Sequence, residues 1–266
     1  MMKQFIPAPI KFALWFIFKS PQRKLGYHTL WSDVKGLFFY CRYYFVLAPK
    51  DQKMSICIGN YNRSAMIRNY LLPALNKLER QQDIELVITD FNSLDGADLK
   101  LFLEANWKGT LKFIAVDAPF TRARAINEAV ESASHELIFV CDADFSLPSN
   151  LLHLCYRFTL ANSIWFPIVF YLYKNKQPMY GKGNGEWMQW GGKGLLAIKR
   201  KQFLALGGLD QNFTHWGGED EAFWLQCHQH RKVIIRSRCK GLLHHWHPSF
   251  NPKYKKLEEL ADKGLL

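Results

Sequence analysis

The chain has 266 residues, 48% of them hydrophobic and 22% charged. That composition supplies one sizeable core, crowds out a second full domain and excludes a disordered chain. The formal net charge of +12 calls for an anionic partner, whether nucleic acid, acidic lipid or a phosphorylated substrate.

The charge is concentrated at one end. Residues 1–50 hold eight basic residues against a single acid, Asp33, together with 13 of the 40 aromatic residues. Basic and aromatic side chains together form a membrane-interface composition. Neither apolar run there, 12–18 or 37–48, approaches the roughly 20 residues of a spanning helix, and Arg42 interrupts the second. Lys19 to Lys24 follow the first run with no small-residue cleavage site, which fits a secretion signal poorly. The expectation is a basic aromatic extension, 1–50, attached peripherally to the inner face of the cell membrane. The alternative is that runs 12–18 and 37–48 pack on the catalytic core. Six cysteines without a CxxC pair read as reduced, mostly buried thiols of a cytoplasmic protein.

From residue 51 strands and helices alternate. The pattern predicts a strand over 54–58, then a helix over 65–78 with Pro73 as a kink or early stop. A strand over 84–89 ends at Asp90. A helix over 99–105, a strand over 111–116 and a helix over 122–132 follow, then a strand over 136–141 and a helix over 150–160. Such alternation predicts an α/β fold with a mainly parallel, Rossmann-like sheet flanked by helices. Ligands of such sheets bind beyond the carboxyl ends of the strands, where Asn60, Asp90, Asp117, Asp142 and Asp144 fall. After Asn162 the pattern changes to Gly, Trp and Tyr, with glycine-rich loops at 181–194 and 207–218. This second half is expected to be the acceptor side of one catalytic domain, 51–252, followed by a helical tail, 253–266.

Five motifs carry chemistry. Asp142-Ala143-Asp144 follows an apolar strand, and two carboxylates one residue apart there can share a divalent cation and a diphosphate. The plain alternative is two solvated loop aspartates. Trp216-Gly217-Gly218-Glu219-Asp220-Glu221 opens a predicted helix. Acids in a first turn also stabilise the helix dipole, but that leaves the tryptophan and the paired glycines unexplained. His244-His245-Trp246-His247 is a metal site, a pH-sensitive patch or a loop of packed rings. Asn60-Tyr61-Asn62-Arg63-Ser64 and Phe120-Thr121-Arg122-Ala123-Arg124, with Asn127, each place arginine near a strand end where a nucleotide diphosphate could lie.

In this order the motifs resemble the β-1,4-galactosyltransferase family and the related chondroitin-type N-acetylgalactosaminyltransferases, which are GT-A enzymes. The matching segments are Asn62-Arg63, Phe120-Thr121-Arg122-Ala123 with Asn127, Asp142-Ala143-Asp144 with Pro148, and Lys201-Gln202-Phe203 with Gly207-Gly208. Trp216-Gly217-Gly218-Glu219-Asp220 and His244 complete the set. The resemblance implies a single GT-A domain and a UDP-sugar donor, with Mn²⁺ or Mg²⁺ held by Asp144 and by His244 or His247. It further implies that Arg63, Phe120 and Arg122 contact the nucleotide, that Asp142 supports it, and that Trp216 shapes the sugar site. Glu219 and Asp220 would meet the sugars, with Asp220 as the base. Asn60, Asn62, Asp90 and Ala143 are expected along the nucleotide. The galactosyltransferases carry a methionine ligand where this chain has Gly241. Which of His244, His245 and His247 ligates therefore stays open.

The function expected is a metal-dependent, inverting transfer of a hexose or N-acetylhexosamine from a UDP-sugar to an oligosaccharide or lipid-linked glycan, as in bacterial capsule or lipopolysaccharide synthesis. A nucleotidyltransferase could share the sheet and the acidic pair, but it has no need of the Trp-Gly-Gly-Glu-Asp block. A basic nucleic-acid-binding protein could use the charge, but most of that charge sits in the aromatic extension and no nucleic-acid motif appears. No nucleic-acid partner is expected.

Overall fold

The computed structural model describes residues 27–181, 183–189, 191–214 and 217–248. The first apolar run, Trp216 and the expected helical tail lie outside the described residues.

The described chain opens with helix α1, Tyr27–Tyr43, and then strand β1, Met54–Asn60. Helix α2 occupies residues 64–75. Its middle, Ile67–Leu71, widens into a π turn just before Pro73, and it ends at Leu75. The sequence predicts a kink or early stop, and the proline supplies one by lacking the N–H of a continuing α-helix. Next come β2, Ile84–Asp90, α3, Leu99–Asn106, β3, Thr110–Ala115, α4, Arg122–Ser132, and β4, Leu137–Cys141. A short β5, Phe145–Ser146, leads into α5, Leu151–Phe158. The second half adds β6, Ile164–Leu172, β7, Gly185–Trp187, β8, Leu196–Lys199, α6, Arg200–Ala205, α7, Glu219–Gln229, and β9, Ile234–His244.

Among the described residues nine strands form one sheet in the order β3-β2-β1-β4-β8-β6-β9-β5, with β7 on the side of β6. Strands β3, β2, β1 and β4 are mutually parallel. β8 runs antiparallel between β4 and β6, and β6 and β9 run parallel to each other. The mainly parallel sheet expected from the alternation is present, with the antiparallel insertion on one side.

Strand side chains alternate between two cores, as the period of two requires. Ile56, Ile58, Leu86, Ile88, Phe139 and Cys141 face α2, α3 and α5. Cys57, Val87, Ile138 and Val140 face α4, α6 and α7. Cys57, Cys141, Cys155, Cys227 and Cys239 are buried free thiols, as expected, while Cys41 is exposed.

Helix α1 lies against the core. A Cβ on its Gly36 would fall on the Ile234 carbonyl oxygen. Tyr40 stacks on Phe158 with ring centres 5.3 Å apart. The junction after it is tied down as well. Ala48 N–H donates to His153 Nδ1 at 3.0 Å, and the Arg80 guanidinium donates to the carbonyls of Pro49, Lys50 and Gln52. Residues 36–52 are thus fastened to the core of the sheet domain. No helix among the described residues is long and apolar enough to cross a membrane.

β1 sits centrally, with its crossovers leaving toward β2 on one side and β4 on the other. The loops at the carboxyl ends of β1 and β4 therefore part from each other, and the crevice between them is where such sheets bind ligands.

Candidate active site

The loop after β1 is locked to the loop after β2. Asn60 is fully buried, and its Nδ2 donates to Asp90 Oδ1 at 2.6 Å and to Ser93 Oγ at 3.1 Å. Asn62 adopts a left-handed backbone, φ 53°, which asparagine tolerates better than most residues. Its N–H donates to Ser93 Oγ at 3.0 Å and its Oδ1 accepts from Leu94 N–H at 2.8 Å. Asn60, Asn62 and Asp90, all expected along the nucleotide, shape the backbone of this edge of the crevice. The same turn brings Tyr61 over Phe120, with ring centres 5.2 Å apart and planes 13° from parallel. Sequence analysis gave Tyr61 no role; only the spatial pairing marks it.

Helix α4 begins on a side-chain cap, Thr121 Oγ1 accepting from Arg124 N–H at 3.2 Å. The cap sets Arg122 at the first helical position, beside the end of β4. Its Nε donates to Asp142 Oδ1 at 2.8 Å, its Nη1 to Glu219 Oε1 at 3.3 Å and its Nη2 to the Gly194 carbonyl at 2.7 Å. Burial disfavours the Arg122 cation, but Asp142 and Glu219 outweigh that and hold its pKa above the ordinary value. One arginine thus joins the Asp-Ala-Asp loop, the glycine-rich loop and α7. Gly194 was not singled out by sequence; a Cβ there would stand 3.1 Å from Arg122 Nη2. Asn127, on the same helix, spans to the second half by a two-way pair with Leu209, at 2.8 Å and 2.9 Å.

The Asp-Ala-Asp pair divides its labour. Asp142 turns to Arg122, whereas Asp144 turns to the histidines that end β9. His247 Nε2 lies 2.7 Å and His244 Nε2 3.7 Å from Asp144 Oδ2. Donor atoms of Asp144, His244 and His247 all lie within 4.8 Å of one another. Ala143, between the two aspartates, is buried. Asp144 Oδ1 and His244 Nδ1 are buried with no hydrogen-bond partner, a state that costs free energy unless something satisfies them. One carboxylate and two imidazoles make a donor set suited to Mn²⁺ or a similar divalent ion, so the residues fit a metal.

Burial pushes His244 down to about 4, against the opposing pull of Asp144, so its imidazole is neutral at physiological pH. Burial also lowers His247, but its hydrogen bond to Asp144 and that carboxylate's charge win, leaving its pKa above the ordinary value. The His244 ring is held flat against Tyr171, centres 4.1 Å apart and planes 13° from parallel. His247 Nδ1 lies 2.9 Å from Arg63 Nη2, so Arg63 abuts the cluster.

His245 points elsewhere. It stacks on Tyr70 at 3.8 Å and its Nε2 lies 2.7 Å from Ser146 Oγ. Among the three histidines left open by the sequence, the geometry brings His244 and His247 to Asp144. Gly241, which replaces the galactosyltransferase methionine, has φ 100° and a Cβ position 2.6 Å from Pro148 Cβ. No side chain fits there.

Helix α7 supplies the last group. Gly218 precedes it with φ 106°, and a Cβ there would lie 2.7 Å from Phe213 Cε1. This explains one of the paired glycines; Gly217, φ 91°, is required by its backbone alone. Glu219 is buried against Arg122 and Asp220 is half-buried. Asp220 Oδ1 accepts the Glu221 N–H at 2.9 Å, which leaves its second oxygen outside that bond. Glu221, the sequence neighbour that could compete as base, pairs with buried Lys193 at 2.5 Å. Lys193 also lies 4.4 Å from the centre of the Trp224 ring. Asp117 is set apart, accepting from Asn92 on an exposed loop.

The model of the family described as chondroitin N-acetylgalactosaminyltransferase matches residues 77–259. The chain belongs to that family. The matched span holds Arg122, Asp142, Asp144, Glu219, Asp220, His244 and His247, while Asn60, Asn62 and Arg63 precede it. Chondroitin sulfate N-acetylgalactosaminyltransferase 1 of Mus musculus is 27% identical over 192 residues, covering 63% of this chain and 36% of that protein. N-acetyl-beta-glucosaminyl-glycoprotein 4-beta-N-acetylgalactosaminyltransferase 1 of Mus musculus is 24% identical over 215 residues, 78% of this chain and 20% of that one. The chain spans about a third of the length of the first of these relatives, 36%. Among solved structures, S. aureus TarS 1–349 in complex with UDP-GlcNAc superposes with a TM-score of 0.60 at 15% identity, over 74% of this chain and 60% of that one. The mannosyltransferase PcManGT from Pyrobaculum calidifontis, in complex with GDP-Man and Mn²⁺, gives 0.57 at 16%, over 85% and 68%. These likenesses show that this member of the family has the GT-A fold.

Proposed function

We propose that this protein transfers an N-acetylhexosamine from a UDP-sugar to a hydroxyl of a growing glycan, with inversion at the anomeric carbon. The observation that carries the reading is the convergence, at the ends of β4 and β9, of a carboxylate–histidine cluster with the acidic first turn of α7, joined through Asp142 and Arg122. Membership of a family named for N-acetylgalactosamine transfer supports the choice of donor.

In this reading Asp144, His244 and His247 hold the divalent cation. When bound, it supplies Lewis-acid neutralisation of the diphosphate. The shelf of Tyr61 and Phe120 offers the uracil a flat face, and Arg63 lies within reach of the same edge of the crevice. Arg122, gripped on three sides, fixes Asp142 and Glu219 as a rigid wall toward the sugar. Asp220 accepts the proton of the incoming hydroxyl on the oxygen not used by Glu221 N–H, which is general-base catalysis. The hydroxyl oxygen bonds to the anomeric carbon as the bond to UDP breaks on the opposite face, giving a β-linked product from an α-linked donor. The enzyme works at the inner face of the cell membrane, supported by the basic and aromatic excess of residues 1–50.

The test is a UDP-release screen over UDP-GalNAc, UDP-GlcNAc and UDP-galactose with Mn²⁺, followed by proton NMR of the product. UDP release abolished by chelator, with a β linkage, is expected. Pyrophosphate release instead would convert the assignment to a nucleotidyltransferase, and an α linkage would overturn inversion.

A further inference from the structure

From residue 34 on, helix α1 is apolar on both sides, and among the described residues only one of them is covered. Gly36, Phe39 and Tyr40 face the core. Val34, Leu37 and Phe38 form an exposed strip with the spacing of one helix face, and Cys41 continues it. Past the helix Phe45 is 87% and Leu47 64% exposed. Arg42 stands exposed beside this strip.

Beside the helix opens a cleft of about 580 Å³, walled by Tyr40 and Tyr44 of the α1 segment, by α5, and by Tyr180 and Trp187 before and within β7. Among the described residues its exposed charges are Arg238 and Lys240, and no carboxylate lines it. Arg238 lies 5.3 Å from the centre of the Trp187 ring. A headgroup-sized, aromatic-walled, cationic hollow thus adjoins an exposed aliphatic and aromatic strip.

We propose that the outer side of α1 and this cleft form one membrane-docking face. Phe38, Leu37, Phe45 and Leu47 enter the headgroup–acyl boundary, and Arg238 and Lys240 bind the phosphate of an anionic phospholipid. This deepens the membrane-side reading above and rests on it. Charge selects the occupant. A second copy docked here would bring like charges together, since the chain carries +12 overall. Residues 1–26 of the chain itself carry five basic residues and no acid, so they too would oppose Arg238 and Lys240. A nucleic acid would meet the cations but leave the aliphatic strip unused. An anionic bilayer satisfies both parts.

The experiment is co-sedimentation and amide hydrogen exchange of the full chain with vesicles of phosphatidylcholine mixed with phosphatidylglycerol. Pure phosphatidylcholine vesicles and inorganic phosphate serve as controls. Expected are binding to the anionic vesicles only, slowed exchange across residues 34–47 and 238–240, and little effect of inorganic phosphate. Arg238→Gln and Lys240→Gln should each lower the partition coefficient about fivefold, and Phe38→Ser about tenfold, with UDP release on a soluble acceptor retained as the check on folding. Binding that these variants leave unchanged overturns this face while the membrane-side reading stands. Absence of binding to anionic vesicles overturns both. Exchange across 44–47, beyond the end of the helix, that stays unaltered in vesicle-bound protein also overturns this face.

Discussion

Replacing Asp220 by asparagine separates a chemical role from a structural one. Asp220 Oδ1 accepts the Glu221 N–H at 2.9 Å, and an asparagine carbonyl oxygen can keep that bond. The side chain is half-buried and makes no ion pair among the described residues, so the helix loses no partner. What disappears is the ability to take a proton. Loss of a positioned general base costs about 10²–10⁴-fold in kcat, equivalent to about 3–5 kcal/mol of transition-state stabilisation. The first turn of the helix also loses one negative charge, and Arg122 a nearby carboxylate, so stability should fall by about 0.3–1 kcal/mol. The contrast is Glu219→Gln, which removes one of the two carboxylates paired with the half-buried Arg122 and should destabilise by about 1–3 kcal/mol. The assay is UDP release at saturating donor and acceptor, with thermal unfolding alongside. A wild-type kcat in Asp220→Asn would refute the assignment of the base. An equal loss of stability in both variants would refute the separation of roles.

Other outcomes follow from the same geometry. Titration calorimetry with Mn²⁺ should show His244→Ala and His247→Ala each losing at least 10–100-fold in affinity, whereas His245→Ala, turned to Tyr70 and Ser146, keeps it. If His245→Ala loses the metal as severely, the ligand set is wrong. Gly218→Ala should destabilise by about 1–3 kcal/mol, since φ 106° and the Phe213 ring both oppose a side chain; an unchanged denaturation midpoint would count against that packing. Glu85 is buried, which raises its pKa, yet bonds from Ser55 Oγ, Ser134 N–H and Oγ, and Lys112 outweigh burial and leave it depressed. Its contribution is therefore complete above the ordinary carboxylate pKa and is lost as pH falls through the lower folded value. Glu85→Gln should flatten that acid limb of a stability–pH profile, and an unchanged limb would assign acid unfolding elsewhere.

The first half of the fold is legible because its signals are local. Alternating apolar runs and helical spacing placed β1 to β4 and α4 within a residue or two, since burial on a sheet face repeats every second residue whatever lies beyond the sheet. The second half was not. β6 is buried along nearly all of its length, so it shows no alternation, and Pro167 within it reads against a strand. β9 carries Arg236, Arg238 and Lys240 among its apolar residues, which hides it. Only the sheet, by pairing β6 with both β8 and β9, gives these segments their conformation.

By itself the sequence determined which chemical groups are available and, for Asn60, Asp90 and the Asp142/Asp144 pair, on which strand ends they sit. The Asp-Ala-Asp loop, the acidic helix start and the terminal histidines follow from residue type and local pattern. Tertiary structure decided how those groups divide. Asp142 went to Arg122 and Asp144 to His244 and His247, His245 was turned away, and Glu221 was withdrawn by Lys193. The physical reason is that each of these contacts joins segments far apart in the chain. Carboxylates one residue apart look equivalent in sequence, and become different only when the folded sheet sets a guanidinium beside one and imidazoles beside the other.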